Sequence, residues 1–405
     1  MSHASPVVTK ALEGARKVLS ECLQMGRGET LGIIWDDTTA DVFSVLCQAA
    51  SEAPLELEVR GAKVPLDYQA TFGLHAQAPL EREIRDVLEA SRGIITCISD
   101  MTSGGTFRHK LIMEGADRGR RLGHIPGANL ELLAHAVNIE YGPVIARCDD
   151  LALALTLGQM AELTTYELDN AGEPVAAHKL RFDLDALERS PITSTGIVPI
   201  DTWGNLPGGE TFIAPIEDRA EGTFVLNAAL KNHVITPPDQ VLLRFERGRL
   251  RQTEGSGPAR AAFDDIVEYA RVRGDLHYDN LAELGIGVND GISTLTGNAL
   301  FDEKCAGTAH IAIGANDGFG GRFASIIHED FITRKPTLSI DGQPILRFGE
   351  LAFDPSYWRE TLEHPFVPRQ SADSSDLRRT VVIHGELGPH GTLRIRRDVA
   401  AGRVC

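Results

Sequence analysis

An α/β, Rossmann-like N-terminal domain followed by an α+β, strand-rich, metal-binding C-terminal domain is the fold this sequence predicts. Three observations carry the expectation. Short apolar runs alternate with amphipathic helices up to Glu162, hairpin texture replaces them beyond it, and residues 281–330 concentrate carboxylates, imidazoles and glycine. A chain of 405 residues is too long for one simple core. The boundary is expected near residue 185, giving domains 1–185 and 186–405, with a C-terminal extension from about residue 351.

The first half begins with helical spacing of apolar groups over 7–24. LGIIW (31–35) reads as a buried parallel strand, and Asp36, Asp37 and Thr38 after it can cap the helix over ADVFSVLCQAASEA. LELEVR (55–60) and GIITCIS (93–99) are further strands, separated by a helix over 79–91. The loop at 100–110 follows a strand, where open α/β sheets place binding groups, but no glycine-rich phosphate fingerprint accompanies it. Residues 127–163 read as helical apart from GPVIAR (142–147), a short buried run.

In the second half, strands flank the turn at Asn170-Ala171-Gly172. GTFVLNAAL (222–230) follows, and hairpins are expected at Arg247-Gly248 and Asp341-Gly342. The one clear helix runs over 256–273, with Pro258 near its start and Ala262, Phe263, Ile266, Val267 and Ala270 on one face. The last fifty residues hold a polar linker (370–377) and a late hairpin that carries His384 and His390.

Composition narrows the function. Acidic residues outnumber basic ones 57 to 40, a formal charge of −17 that argues against nucleic acid or an anionic membrane as partner. No stretch approaches the length of an apolar membrane span and the N-terminus lacks an apolar leader, so a cytoplasmic protein is expected. Six scattered cysteines without a CxxC pair read as reduced thiols. No nucleophile-elbow serine motif is present.

The chemistry is expected in 281–330. His328 and Asp330 stand two apart after Ile326-Ile327, so on a strand both project to one face while Glu329 points away. His310 sits within Ala309-His310-Ile311-Ala312-Ile313, and Glu283 within Leu281–Gly287, where an unpaired polar group is costly. Glu210 lies just before another apolar run. Each alone has a plainer reading as a hydrogen-bonded core residue. Together, two imidazoles and three carboxylates without a thiolate suit catalytic Zn, Co, Mn or Fe, and so many carboxylates suit two ions. Asp302, Glu303 and Asp317 are further candidates, with Asp201, Thr202, Trp203 and Lys304 as weaker ones for the substrate site.

The ordered motifs NLPGGETFIAP (205–215), EGTFVLN (221–227), LAELGIGVN (281–289), FDEKCAGTAHIAIG (301–314) and SIIHEDFI (325–332) resemble those of the aminopeptidase T-like, thermophilic aminopeptidase family of dinuclear metallopeptidases. The resemblance implies metal ligation by Glu210, Glu283, His310, His328 and Asp330, with Glu283 the bridging and catalytic carboxylate. It also implies two divalent ions (Zn, Co or Mn), a small-molecule or peptide substrate cleaved at an amide or other C–N bond, and a homodimer. Where that family has a tyrosine seven residues after its first histidine, this chain has Asp317, an additional candidate ligand. The sequence also resembles a second branch of the same fold, the Fe(II) dioxygenases that open the ring of 2,5-dihydroxypyridine. That branch implies a mononuclear site of His310 or Glu283 with His328 and Asp330. A non-catalytic binding protein on the same fold is the third reading.

Overall fold

A computed structural model describes residues 5–72, 79–99, 106–184, 189–231, 233–363, 380–387 and 393–400. The 100–105 part of the expected loop, the polar linker 370–377 and His390 lie outside the described residues.

The architecture is mixed α/β, with one parallel sheet, two large antiparallel sheets and a two-stranded antiparallel ribbon among the described residues. The parallel sheet comprises β1 (Thr30–Trp35), β2 (Glu58–Lys63), β3 (Gly93–Cys97), β4 (Arg121–His124) and β8 (Thr202–Asn205), in the order β2-β1-β3-β4-β8. Helices α1 (Pro6–Lys17), α2 (Ala40–Glu52), α3 (Leu66–Phe72), α4 (Arg82–Ala90), α5 (Thr106–Gly115) and α6 (Leu130–Leu132) accompany it. Strand side chains alternate between two cores: Leu31, Ile33 and Ile95 pack on one face, Ile34, Ile94 and Leu122 on the other. Asp36 caps the turn after β1 as the sequence predicts, accepting from the Thr38 N–H at 2.9 Å.

The second sheet has eight strands: β5 (Met160–Leu168), β6 (Pro174–Asp183), β10 (Ala220–Leu226), β13 (Val241–Glu246), β14 (Arg249–Glu254), β18 (Thr337–Ile340), β19 (Gln343–Arg347) and β20 (Glu350–Leu351). The third has seven: β7 (Ile192–Ser194), β9 (Glu210–Ile213), β11 (Ala229–Leu230), β12 (His233–Val234), β15 (Leu281–Gly287), β16 (Ala309–Gly314) and β17 (His328–Thr333), in the order β12-β11-β17-β16-β15-β9-β7. Both contribute to one apolar core, joined by α7 (Tyr141–Leu157) and α8 (Pro258–Arg271). In that core Phe263 of α8 meets Phe331 of β17, ring centroids 5.2 Å apart. The turn Ala299–Asp302 forms α9, and α10 (Pro355–Glu363) precedes a late hairpin of β21 (Thr380–Leu387) and β22 (Leu393–Ala400).

The chain passes between sheets more than once. β5 and β6 leave the parallel layer before residue 185, and β8 returns to it after. Two local expectations are corrected. GPVIAR lies inside α7, because Val144, Cys148 and Leu151 repeat at helical spacing and Pro143 falls in the first turn, where no backbone donor is needed. The second strand starts at Glu58, three residues later than LELEVR suggests, where it pairs with β1. The hairpins at Asn170, Arg247 and Asp341 form as expected.

Candidate metal centre

Four adjacent strands, β9, β15, β16 and β17, carry the predicted ligands on one face. The register pairs Glu210 with Gly287, Gly285 with His310, and Ala312 with both Glu283 and Asp330; His328 pairs with Gly314. Cross-strand partners project to the same side of a sheet, so the five side chains converge on a face they share with Gly285, Gly287, Ala312 and Gly314, and with Phe212 and Ile332. The opposite face carries Ile213, Leu284, Ile286, Ile311, Ile313 and Phe331 in the core. Period two thus separates chemistry from stability, residue by residue.

The small residues on the ligand face are needed there. A Cβ on Gly285 would lie 2.0 Å from His310 Nε2, so only glycine leaves room for the imidazole. A Cβ on Gly287 would meet the Glu303 carbonyl oxygen at 2.6 Å and that of Cys305 at 2.3 Å. Gly287 therefore lets the backbone of 303–305 lie directly against the sheet.

Two groups of donors result. The outer one is Glu283, His328 and Asp330; the inner one is Glu210, Glu303 and His310. His328 Nε2 lies 3.2 Å from Glu283 Oε2 and 3.5 Å from Asp330 Oδ1. Its Nδ1 lies 2.7 Å from the Ala315 carbonyl, which fixes the tautomer that leaves Nε2 free to ligate. His310 Nε2 lies 3.2 Å from Glu283 Oε1 and 3.7 Å from Glu210 Oε2, between the two groups. The outer group meets solvent, with His328 32% and Asp330 20% exposed in their side chains, while Glu210, Glu283 and His310 are buried. Phe319 packs edge-on against both His328 and Phe212, centroids 5.5 Å apart in each case.

The electrostatics are those of imidazoles and carboxylates paired at close range. Burial pushes the imidazole of His310 down, but Glu283, Asp330 and Glu303 outweigh it and raise it to about 9. His328 is raised well above its usual value, against burial, by Asp330 and Glu283. Burial would raise Asp330, yet His328 and His310 hold it far below the carboxylate range. Glu283 is also lowered against burial, by its bonds to both histidines. Protons and a divalent cation compete for the same nitrogen lone pairs. Among the described residues, the buried atoms Asp330 Oδ1 and His310 Nδ1 have no hydrogen-bond partner. An orphaned carboxylate oxygen beside an oriented imidazole fits a divalent ion of the Zn, Co, Mn or Fe type.

Two residues take part that the sequence left as lesser candidates. Glu303 completes the inner group, and Lys304 reaches into it with its ammonium 2.9 Å from Glu210 Oε1 and bonded to Glu303 Oε1. The neighbouring Asp302 is engaged elsewhere, accepting from the Thr296 and Gly297 N–H groups at 2.8 and 2.7 Å. Asp317 is exposed and stands in neither donor group, and Glu329 projects to the other face as expected.

The fold and donor set describe a mixed α/β protein with candidate metal-ligand groups on an antiparallel sheet. Residues 194–344, which contain every ligand just described, match the family model of the thermophilic metalloproteases (M29). Two solved structures share the fold. The 2,5-dihydroxypyridine dioxygenase from Pseudomonas putida KT2440 superposes with a TM-score of 0.63 at 17% identity, covering 86% of this chain and 99% of that one. Wild-type AmpT from Thermus thermophilus superposes with a TM-score of 0.56 at 15% identity, covering 85% and 99%. Both expected resemblances are thereby met. No sequence among curated proteins matches this chain.

Proposed function

We propose that the protein is an aminopeptidase-like, metal-dependent hydrolase that cleaves an amide or other C–N bond of a small substrate or peptide. In this reading 1–185 is the α/β support, 186–405 the metal-binding half, and the working unit a homodimer. The observation that carries the reading is the convergence of Glu283, His310, His328 and Asp330 on one sheet face within the segment that matches the metalloprotease family. Zn, Co or Mn suits these donors; when bound, such an ion polarises the scissile carbonyl and acidifies water. The chain's own residues supply the rest. Glu283, kept ionised by the two histidines it touches, accepts the proton of the attacking water. Ala315 orients His328 through Nδ1. Phe319 and Phe212 line the solvent side with apolar surface suited to a hydrophobic substrate side chain.

A panel of aminoacyl anilides and short peptides, assayed after loading with Zn, Co or Mn, tests this. Hydrolysis should be abolished by a chelator and reduced more than about 100-fold in His328→Ala. Folded, metal-loaded protein that cleaves none of the panel overturns the reading.

One observation favours a second reading. Lys304 engages both inner glutamates, which leaves His310, His328 and a carboxylate as a mononuclear set of the type that binds Fe(II). Oxygen consumption with a hydroxylated N-heteroaromatic, in iron-loaded protein, separates ring cleavage from hydrolysis.

A further inference from the structure

We infer that Lys304 takes the place of a second metal ion, so that the protein binds one divalent cation per chain at Glu283, His310, His328 and Asp330. The inference rests on the metal-centre reading above but not on which reaction follows.

The inner group would be a second ion site by its carboxylates alone. Glu210 and Glu303 face each other in a buried space beside His310. Two carboxylates so placed need a proton or a cation between them, because buried like charges are strongly unfavourable, and a cation can meet both. The chain supplies it from within. Lys304 is fully buried, and its ammonium lies 2.9 Å from Glu210 Oε1 and in direct contact with Glu303 Oε1. A divalent ion on those same oxygens would stand about 2.0–2.2 Å from each. It would occupy the volume of the ammonium and be repelled by its charge. Ion and lysine are mutually exclusive there.

The lysine is also held in place. Its backbone N–H donates to the Phe301 carbonyl at 3.0 Å, and its carbonyl accepts from the Asn289 N–H at 2.8 Å. Gly287 lets the 303–305 backbone rest on the sheet, so the side chain starts within reach of Glu210, the cross-strand partner of Gly287. Asp302 anchors the preceding loop through Thr296 and Gly297. The outer group has no such internal cation. Among the described residues, the ion pairs of its carboxylates run to His310 and His328 and none runs to a lysine or arginine.

Metal analysis with Mn(II), on apo protein titrated and then desalted, tests this on the full chain. Wild type should retain one ion per chain and show the electron paramagnetic resonance of isolated Mn(II). Lys304→Met, which keeps the length of the side chain and removes its charge, should retain two ions with an exchange-coupled signal. His328→Ala should lose the wild-type ion. Two coupled ions in wild type would overturn the inference without recourse to any variant. A folded Lys304→Met that still retains one ion would overturn Lys304 as the excluding group, and Lys304→Ala, checked by circular dichroism, provides the same comparison if the methionine variant does not fold. Wild type that binds no ion sinks the metal-centre reading and the inference with it. One ion without peptidase activity sinks only the hydrolase.

Discussion

At the scale of single residues, the site depends as much on what is missing as on what is present. His310 occupies the space that a side chain at 285 would fill. Gly285→Ala adds one methyl group at 2.0 Å from the ligating nitrogen, and β16 cannot move away because it is paired on both edges. The imidazole must rotate out. The expected outcome is a folded protein whose metal affinity falls about 10–100-fold, read by competition with a chromophoric chelator. The candidate donors that the sheet brings together were legible in the sequence, since a histidine or glutamate inside an apolar strand is an anomaly that asks for a partner. Glu303 and Lys304 were legible only as lesser candidates. Asp302 and Glu303 are adjacent carboxylates, and only the loop path decides that the first caps a turn while the second enters the site. A lysine beside a glutamate reads as a surface pair until burial is known.

At the scale of elements, the strand β17 and the loop before it are fixed by a buried ion pair outside the metal centre. Glu217 accepts from the Asn316 side chain at 2.9 Å and the Arg322 N–H at 2.8 Å, and bonds Arg189. That grip holds the loop carrying Phe319 against His328. Burial pushes the Glu217 carboxyl up, but the Arg322 N–H, the Arg189 guanidinium and Asn316 outweigh it and hold it below 4.5. A lowered folded-state pKa means the contribution is present above about pH 4.5 and is lost as pH falls through the folded value. Glu217→Gln leaves Arg189 buried without its counter-charge and should cost about 3 kcal/mol in urea unfolding at pH 7. The gap to wild type should narrow below pH 4.5; a gap that stays constant would show that the charge is not what stabilises the loop. No motif announces this pair, because its partners come from three separate loops.

At the scale of the whole molecule, strand and helix types were readable from periodicity, and hairpins from their turn residues. Sheet membership was not. Thr202–Asn205 is too short to announce the layer it joins, and its place beside β4 follows from packing of Leu206 and Val198 into the N-terminal core. Among the described residues no helix is long and apolar enough to cross a membrane. Five cysteines, Cys22, Cys47, Cys97, Cys148 and Cys305, are free thiols there. Burial raises all five above the ordinary thiol value, which makes them poor nucleophiles.

The four-strand origin of the ligands also has a temporal meaning. From Glu210 to Asp330 the chain must traverse β10 to β14, α8, α9 and several loops before its donors stand side by side. No local segment holds more than two of them, so a nascent or partly folded chain offers the ion little. Binding then follows the assembly of β9, β15, β16 and β17 instead of guiding it. A cation at about 100 times its dissociation constant should add about 2.7 kcal/mol to stability. In stopped-flow experiments that gain should appear as slower unfolding, with the refolding rate unchanged. Faster refolding with metal would mean that the donors gather before the sheet does. A bound cation would thus be a seal on the finished fold, and its retention through purification would report that the last strand has found its place.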